Sequence, residues 1–143
     1  DSVLQNGGSV IGVVPENLNK PHLIHAGLTQ VEVVENIQQR KKLMADLSDG
    51  FIALPGGFGT LDEFIEILTW SQIGIHNKPI GLLNTNNYYS PLMEMFNNAL
   101  RYGFIYPEHL GLLQISEDPA DLLARMENYE TPLNIDRWVS RNQ

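Results

Sequence analysis

The ten residues Leu54-Pro55-Gly56-Gly57-Phe58-Gly59-Thr60-Leu61-Asp62-Glu63 join an apolar run, Phe51-Ile52-Ala53-Leu54, to a helical pattern from Leu61 to about Gly74. The apolar run is too short for a buried helix and reads as a buried strand. The glycines let the chain turn sharply and approach a ligand closely, and they leave backbone N–H groups pointing outward. The helix N-terminus that follows adds unpaired N–H groups and a partial positive charge. Strand, glycine turn and helix together make an anion-binding device, most often for phosphate. Glycine spacing alone is weak evidence, because many strand-to-helix loops use glycine only to turn.

The same alternation recurs along the chain. Val10-Ile11-Gly12-Val13-Val14, ending at Pro15, reads as a buried parallel strand, and Thr29 to Val34 is β-branched and alternating, as strands are. Between them, Glu16 to Leu28 carries Pro21, two histidines and no clear period, so it reads as a loop. A helix is expected from Asn36, its N-cap, to Leu47. Ile80 to Asn84 is the next strand, and Thr85 to Tyr89 is a polar, Asn-rich turn. Ser90-Pro91 opens a helix that stops at Gly103. Leu112 to Ser116 is the last strand, and Asp118-Pro119 opens a final helix through about Asn128. Trp138, in the tail, is expected to dock on the body. Strands alternating with helices predict an α/β fold, a Rossmann-like three-layer αβα arrangement with a parallel sheet. At 143 residues the chain fits one nucleotide-binding domain, 1–143. Residue 1 is Asp rather than Met, and Ser2 to Gly8 reads as a helix end with a glycine stop, so N-terminal elements are expected to precede this chain.

Composition narrows the partners. A net charge of −8 argues against a nucleic-acid backbone. No apolar run approaches the ~18 residues of a membrane span. With no cysteine there is no disulfide framework, thiolate nucleophile or Cys-based metal site, which fits a reducing, cytoplasmic setting. His22 and His25 lie three apart in the first loop, but no carboxylate joins them at a recognisable metal spacing, so no metal is expected.

Three features single out residues. Arg40 falls on the apolar stripe of its helix with Ile37, Met44 and Leu47. A buried guanidinium without an anionic partner is expensive, so Arg40 either packs its stem flat with its head at the edge or aims into a ligand site. Lys41 and Lys42 thicken the positive charge beside it. Thr60-x-x-Glu63 has the form of a capping box, which gives Glu63 a structural role and also holds it at the rim of the anion site. The helix after the glycines has two apolar sides: Leu61, Phe64, Ile65 and Leu68 on one, Ile67, Trp70 and Ile73 on the other. A helix apolar on two sides is buried from both, and a homodimer through the 60–74 helix is the expected second partner.

Pro55-Gly56-Gly57-Phe58-Gly59-Thr60-Leu61-Asp62-Glu63, with Arg40-Lys41 upstream, resembles the LOG family, the cytokinin riboside 5′-monophosphate phosphoribohydrolases long labelled lysine decarboxylases. The family pattern is PGGxGTxxE preceded by Met-His-x-Arg-Lys. The likeness continues through Trp70 to Pro79 and Gly81 to Asn84, and covers at least residues 7–106. It implies a Rossmann-like fold, a dimer, no cofactor, and cleavage of the N-glycosidic bond of a nucleoside 5′-monophosphate to free base and ribose 5-phosphate. Carried over by position, Arg40 and Glu63 match the catalytic pair. Lys41, Gly56, Gly57, Phe58, Gly59, Thr60, Leu61, Asp62 and Thr69 match substrate-binding positions. Two departures stand out: Ile37-Gln38 replaces Met-His, and His22 replaces an acidic residue that many members carry in the first loop. The family's first glycine cluster is not in this chain.

On that reading the substrate is an adenosine 5′-monophosphate, N6-modified or plain. Glu63 stabilises the positive charge that builds on the ribose, the glycine loop holds the 5′-phosphate, and Arg40 holds the sugar or base or helps the base leave. The main alternative is a non-catalytic nucleotide carrier or sensor. Lysine decarboxylation is a poor third, since Lys41, Lys42 and Lys78 have no surroundings that suggest a Schiff-base site.

Overall fold

The strands form where β-branched and apolar residues run between turn signals, and every ladder among the described residues is parallel. The computed structural model describes residues 1–135, so Trp138 lies outside the described residues. The chain packs as two compact units, Asp1–Ser48 and Asp49–Gln143.

The first unit starts with a helical turn, α1 (Ser2–Gln5), closed by Gly7 at φ +78°, as the glycine stop predicts. Strand β1 (Ile11–Pro15) pairs with β2 (Gln30–Val34), with Ile11 opposite Gln30 and Pro15 opposite Val34. Parallel neighbours need a crossover of a dozen or so residues. Here a loop supplies it, broken only by a 3-10 turn at Glu16–Leu18. Strand β1 is less buried than an apolar run suggests: Pro15 alone is fully buried, and Ile11 is exposed.

Helix α2 (Ile37–Leu47) packs against both strands. The Asn36 side chain caps it, accepting from Gln39 N at 2.9 Å, while Gln39 Oε1 accepts from Glu35 N at 3.0 Å. Its inward face differs from the expected stripe. Ala45 is its buried residue, while Ile37 and Leu47, at the two ends, are exposed. Spacing gives the direction of a stripe but not how far the covering strands reach along it.

In the second unit β3 (Phe51–Ala53), β4 (Ile80–Leu83) and β5 (Leu113–Ser116) form a sheet in that order. Helix α6 (Pro119–Glu127) lies on β4 and β5 and is capped by Asp118, whose carboxylate accepts from Ala120 N at 2.9 Å. Gly81 permits that approach, since a Cβ there would sit 2.5 Å from Met126 Sδ and 3.3 Å from Leu122. Side chains alternate along a strand, so Ile80 and Leu82 take the other face, and they are 1% and 0% exposed. Both faces of this sheet are therefore covered, and the chain has the Rossmann-like α/β fold of parallel strands flanked by helices.

The remaining helices are α3 (Phe58–Gln72), α4 (Ser90–Arg101) and α5 (Pro107–Leu110). Ser90 does not cap α4, as Ser-Pro suggests; it is the first helical residue, and its hydroxyl donates to Asn87 Oδ1 at 3.2 Å. The short α5 carries no amphipathic period to betray it in the sequence. Helix α3 buries Phe64, Ile67 and Ser71, and leaves Ile65, Thr69 and Ile73 as an exposed row at i, i+4, i+8. The two apolar stripes read from the sequence thus divide differently: Ile67 joins the buried side and Ile65 the exposed one.

Candidate active site

Strand β3 ends at Ala53, and the chain passes through Leu54-Pro55-Gly56-Gly57 into α3. The helix begins three residues earlier than its apolar period suggests: Gly57 is the N-cap and Phe58 the first helical residue. Thr60 is therefore inside the first turn rather than capping it, and the Thr60–Glu63 capping box does not form. The sequence misleads here because glycine disfavours helix interiors. Positions near an N-terminus carry little of that cost when the tertiary fold fixes the turn.

This shift enlarges the anion-binding element. The first bond of the helix runs from Leu61 N to Gly57 O at 3.1 Å. The N–H groups of Phe58, Gly59 and Thr60 precede it and have no intrahelical backbone acceptor, and the N-cap, a glycine, has no side chain to offer them. A helix of 15 residues starts in this open turn, with its dipole adding to the donors. Phe58 is 94% exposed beside it.

The glycines do different work from that expected. None of Gly56, Gly57 and Gly59 has positive φ. Gly56 is required by contact, since a Cβ there would run into the Thr60 side chain, 2.8 Å from its Cβ. Around Gly59 there is open space, with nothing within 4 Å of where a Cβ would sit. Glu63 lies four residues on, hence on the same face. Glu63 is half-buried there. Leu61 is half-buried and Asp62 exposed.

Thr69 is on the same helix but 11 residues beyond Phe58, about 16 Å along the axis. It is exposed, and its hydroxyl donates to Ile65 O at 2.7 Å. The structure does not bring it to the glycine turn of its own chain.

Two residues that the sequence does not single out brace the loop. Tyr89 OH donates to Leu54 O at 2.6 Å, and Tyr88 OH donates to Gly56 O at 2.8 Å. Their rings meet edge to face, centroids 4.9 Å apart. Burial, reinforced by the neighbouring Tyr88 and opposed by a backbone hydrogen bond, pushes the Tyr89 hydroxyl pKa up. A Tyr-Tyr pair in a polar turn gives no periodic signal; only the fold reveals what it reaches.

In the first unit, Arg40 and Lys41 stand in the first turns of α2, with Arg40 N donating to Asn36 O at 3.1 Å. Both are half-buried, and Arg40 Nε is fully enclosed. Lys42 is exposed and pairs with Asp46 at 2.9 Å. His25 Nε2 lies 2.6 Å from Asp1 Oδ1, and its Nδ1 accepts from Gly27 N at 3.0 Å, an ordinary loop arrangement. Among the described residues no group of three or more His, Cys, Asp or Glu side chains could hold a metal ion. None of the described helices is long and apolar enough to cross a membrane.

A family model described as "Possible lysine decarboxylase" matches residues 1–126. A cytokinin riboside 5′-monophosphate phosphoribohydrolase of Rhodococcoides fascians is 46% identical over 129 residues, which cover 90% of this chain and 65% of that protein. A probable enzyme of the same name from Oryza sativa subsp. japonica is 42% identical, with 88% of this chain and 52% of that protein covered. One from Arabidopsis thaliana is 41% identical, with 90% and 60% covered. The chain thus spans between about half and two thirds of the length of these curated relatives. Its loop-to-helix motif and the match across residues 1–126 agree, and the chain belongs to the LOG family, whose model carries the lysine decarboxylase description.

Proposed function

We propose that the protein containing this chain hydrolyses the N-glycosidic bond of an adenosine 5′-monophosphate, N6-modified or plain, to free base and ribose 5-phosphate. One observation carries the reading: a helix N-terminus with a glycine cap after a glycine loop, and Glu63 four residues beyond Gly59 on the same face. The relatives' names, all phosphoribohydrolases, support it.

In this mechanism the N–H groups of the first turn of α3 hold the 5′-phosphate and so orient the ribose. Cleavage builds oxocarbenium character at the anomeric carbon. The Glu63 carboxylate stabilises that charge and positions or deprotonates the attacking water. Arg40 is the second catalytic residue, holding the sugar or base or assisting its departure, and Lys41 adds to the binding of the anionic substrate. Gly56 to Asp62 supply the rest of the substrate contacts. The two units act as one nucleotide-binding domain. A homodimer forms through α3, for which the exposed Ile65 and Ile73 supply apolar surface. Thr69, remote from its own glycine turn, contacts substrate in the second subunit's site.

The test is adenine release from AMP, followed by chromatography. Glu63→Gln keeps the size and helix propensity of the side chain, so melting stays within about 2 °C while turnover falls at least ~100-fold. Near-normal turnover in a normally melting variant refutes the assignment of Glu63. A wild type that binds AMP and an N6-modified AMP without releasing the base from either refutes the reaction.

A further inference from the structure

We propose that Tyr88 and Tyr89 are positioning residues for the phosphate-binding turn, setting the peptide planes of the glycine loop through two hydroxyl-to-carbonyl bonds. The inference rests on the proposed phosphate role of that turn and extends it to a second loop, the one after β4.

The bracing starts in the sheet. Asn84 is buried at the carboxyl end of β4, and its N–H donates to Ser116 O at 2.8 Å, continuing the ladder with β5. Its side chain faces the turn: Oδ1 accepts from Tyr89 N at 2.7 Å, and Nδ2 donates to Ser90 Oγ at 3.2 Å. The turn itself is forced into an unusual path, with Asn86 and Asn87 in succession at φ 53° and 60°. Left-handed backbone is costly for residues other than glycine, and asparagine tolerates it best. That path delivers two consecutive tyrosines to two carbonyls of the glycine loop, Leu54 and Gly56.

The consequence follows from peptide geometry. In a trans peptide, C=O and N–H point in opposite directions, and no described peptide is cis. Holding Gly56 O toward Tyr88 therefore turns the Gly57 N–H away from the tyrosine and fixes its direction. It also keeps two acceptor oxygens aside, where they cannot face a phosphate and repel it. The glycines themselves bring no side chains to fix those directions, and they flank an exposed Phe58. A donor array works as an anion site only when its directions are set before the ligand arrives.

The experiment uses the full chain with Tyr88→Phe, Tyr89→Phe and the double variant. Ribose 5-phosphate affinity is read by calorimetry, AMP cleavage by chromatography, and stability by thermal melting. Tyr88 is half-exposed, so its variant is expected to melt within about 1 °C of wild type while ribose 5-phosphate affinity and AMP KM weaken roughly threefold to tenfold. The double variant weakens both further, with kcat changing less than KM. Phenylalanine variants that bind ribose 5-phosphate as wild type does overturn the inference, whatever their melting temperatures. So does a wild type that fails to bind it. A wild type that binds ribose 5-phosphate but leaves both AMP and an N6-modified AMP intact, with weaker binding in the variants, refutes the proposed hydrolysis and upholds the positioning role.

Discussion

Replacing Gly59 with alanine separates what the fold needs from what a ligand needs. Gly59 is the second residue of α3, has no positive φ, and faces open space where a Cβ would go. Alanine there meets no steric cost and removes the excess backbone freedom of glycine in the unfolded chain. The full gain at a helix interior approaches 1 kcal/mol; in the first turn about half is reasonable, ~0.5 kcal/mol. For a chain of this size that is a rise of about 1–3 °C in melting temperature. If the empty space is where the phosphate and ribose approach Glu63, the added methyl displaces them, and kcat/KM for AMP falls about tenfold or more. Gly56→Ala is the counterpart: its Cβ collides with Thr60, so stability drops by about 1–3 kcal/mol. The assays are differential scanning fluorimetry and adenine release. A Gly59→Ala protein that melts lower than wild type shows that the space is not open. One that melts higher and keeps full kcat/KM shows that no ligand uses it.

Two further predictions concern the scaffold. Leu82 is fully buried in the central strand of its sheet, so Leu82→Ala is expected to cost about 2–5 kcal/mol in urea unfolding with an unchanged m-value; a loss below ~1 kcal/mol contradicts a packed interior there. His76 lies against Ile67 O at 3.0 Å and the Phe51 ring, and burial lowers its pKa below the usual 6.5, with Lys78 contributing and the Ile67 bond opposing. Its neutral form is favoured in the fold, so the unfolded chain binds more protons as pH falls through 6.5. Stability from this group is complete above that pH and declines below it. His76→Gln is expected to flatten the melting-temperature loss between about pH 7 and 5.5; an unchanged slope refutes the linkage.

Much of the fold is legible in the sequence because its signals are local. The strand starts at Ile80 and near Leu113, the Asp118-Pro119 helix start and the Asn36 cap are each written in neighbouring residues, and the structure has them where expected. What local signals cannot supply is the extent of cover. Spacing puts Arg40 on an inward stripe, and its Nε is indeed enclosed, but the same spacing puts Ile37 and Leu47 there, and they are exposed. A helical period says which residues share a face. The strands across from it decide which part of that face is buried.

The start of α3 shows why the candidate site is legible in outline and misleading in detail. Thr60-x-x-Glu63 fits a capping box so well that the sequence offers no reason to look further back. Yet a box closed there would consume donors a phosphate needs, with the Thr60 hydroxyl on one backbone N–H and the Glu63 carboxylate on another. By starting at Phe58 the helix puts three N–H groups ahead of its first bond and places Glu63 on the second turn, four residues after a glycine with open space around it. Thr60 is then used for packing, filling the volume that Gly56 vacates. A helix built only for stability would carry Ser, Thr, Asp or Asn where this one has Gly57 as its N-cap. Forgoing that side-chain cap costs a few tenths of a kcal/mol to about 1 kcal/mol. The loss makes physical sense where an anion supplies the missing acceptor, and a side chain at the cap would compete with that anion for the same donors.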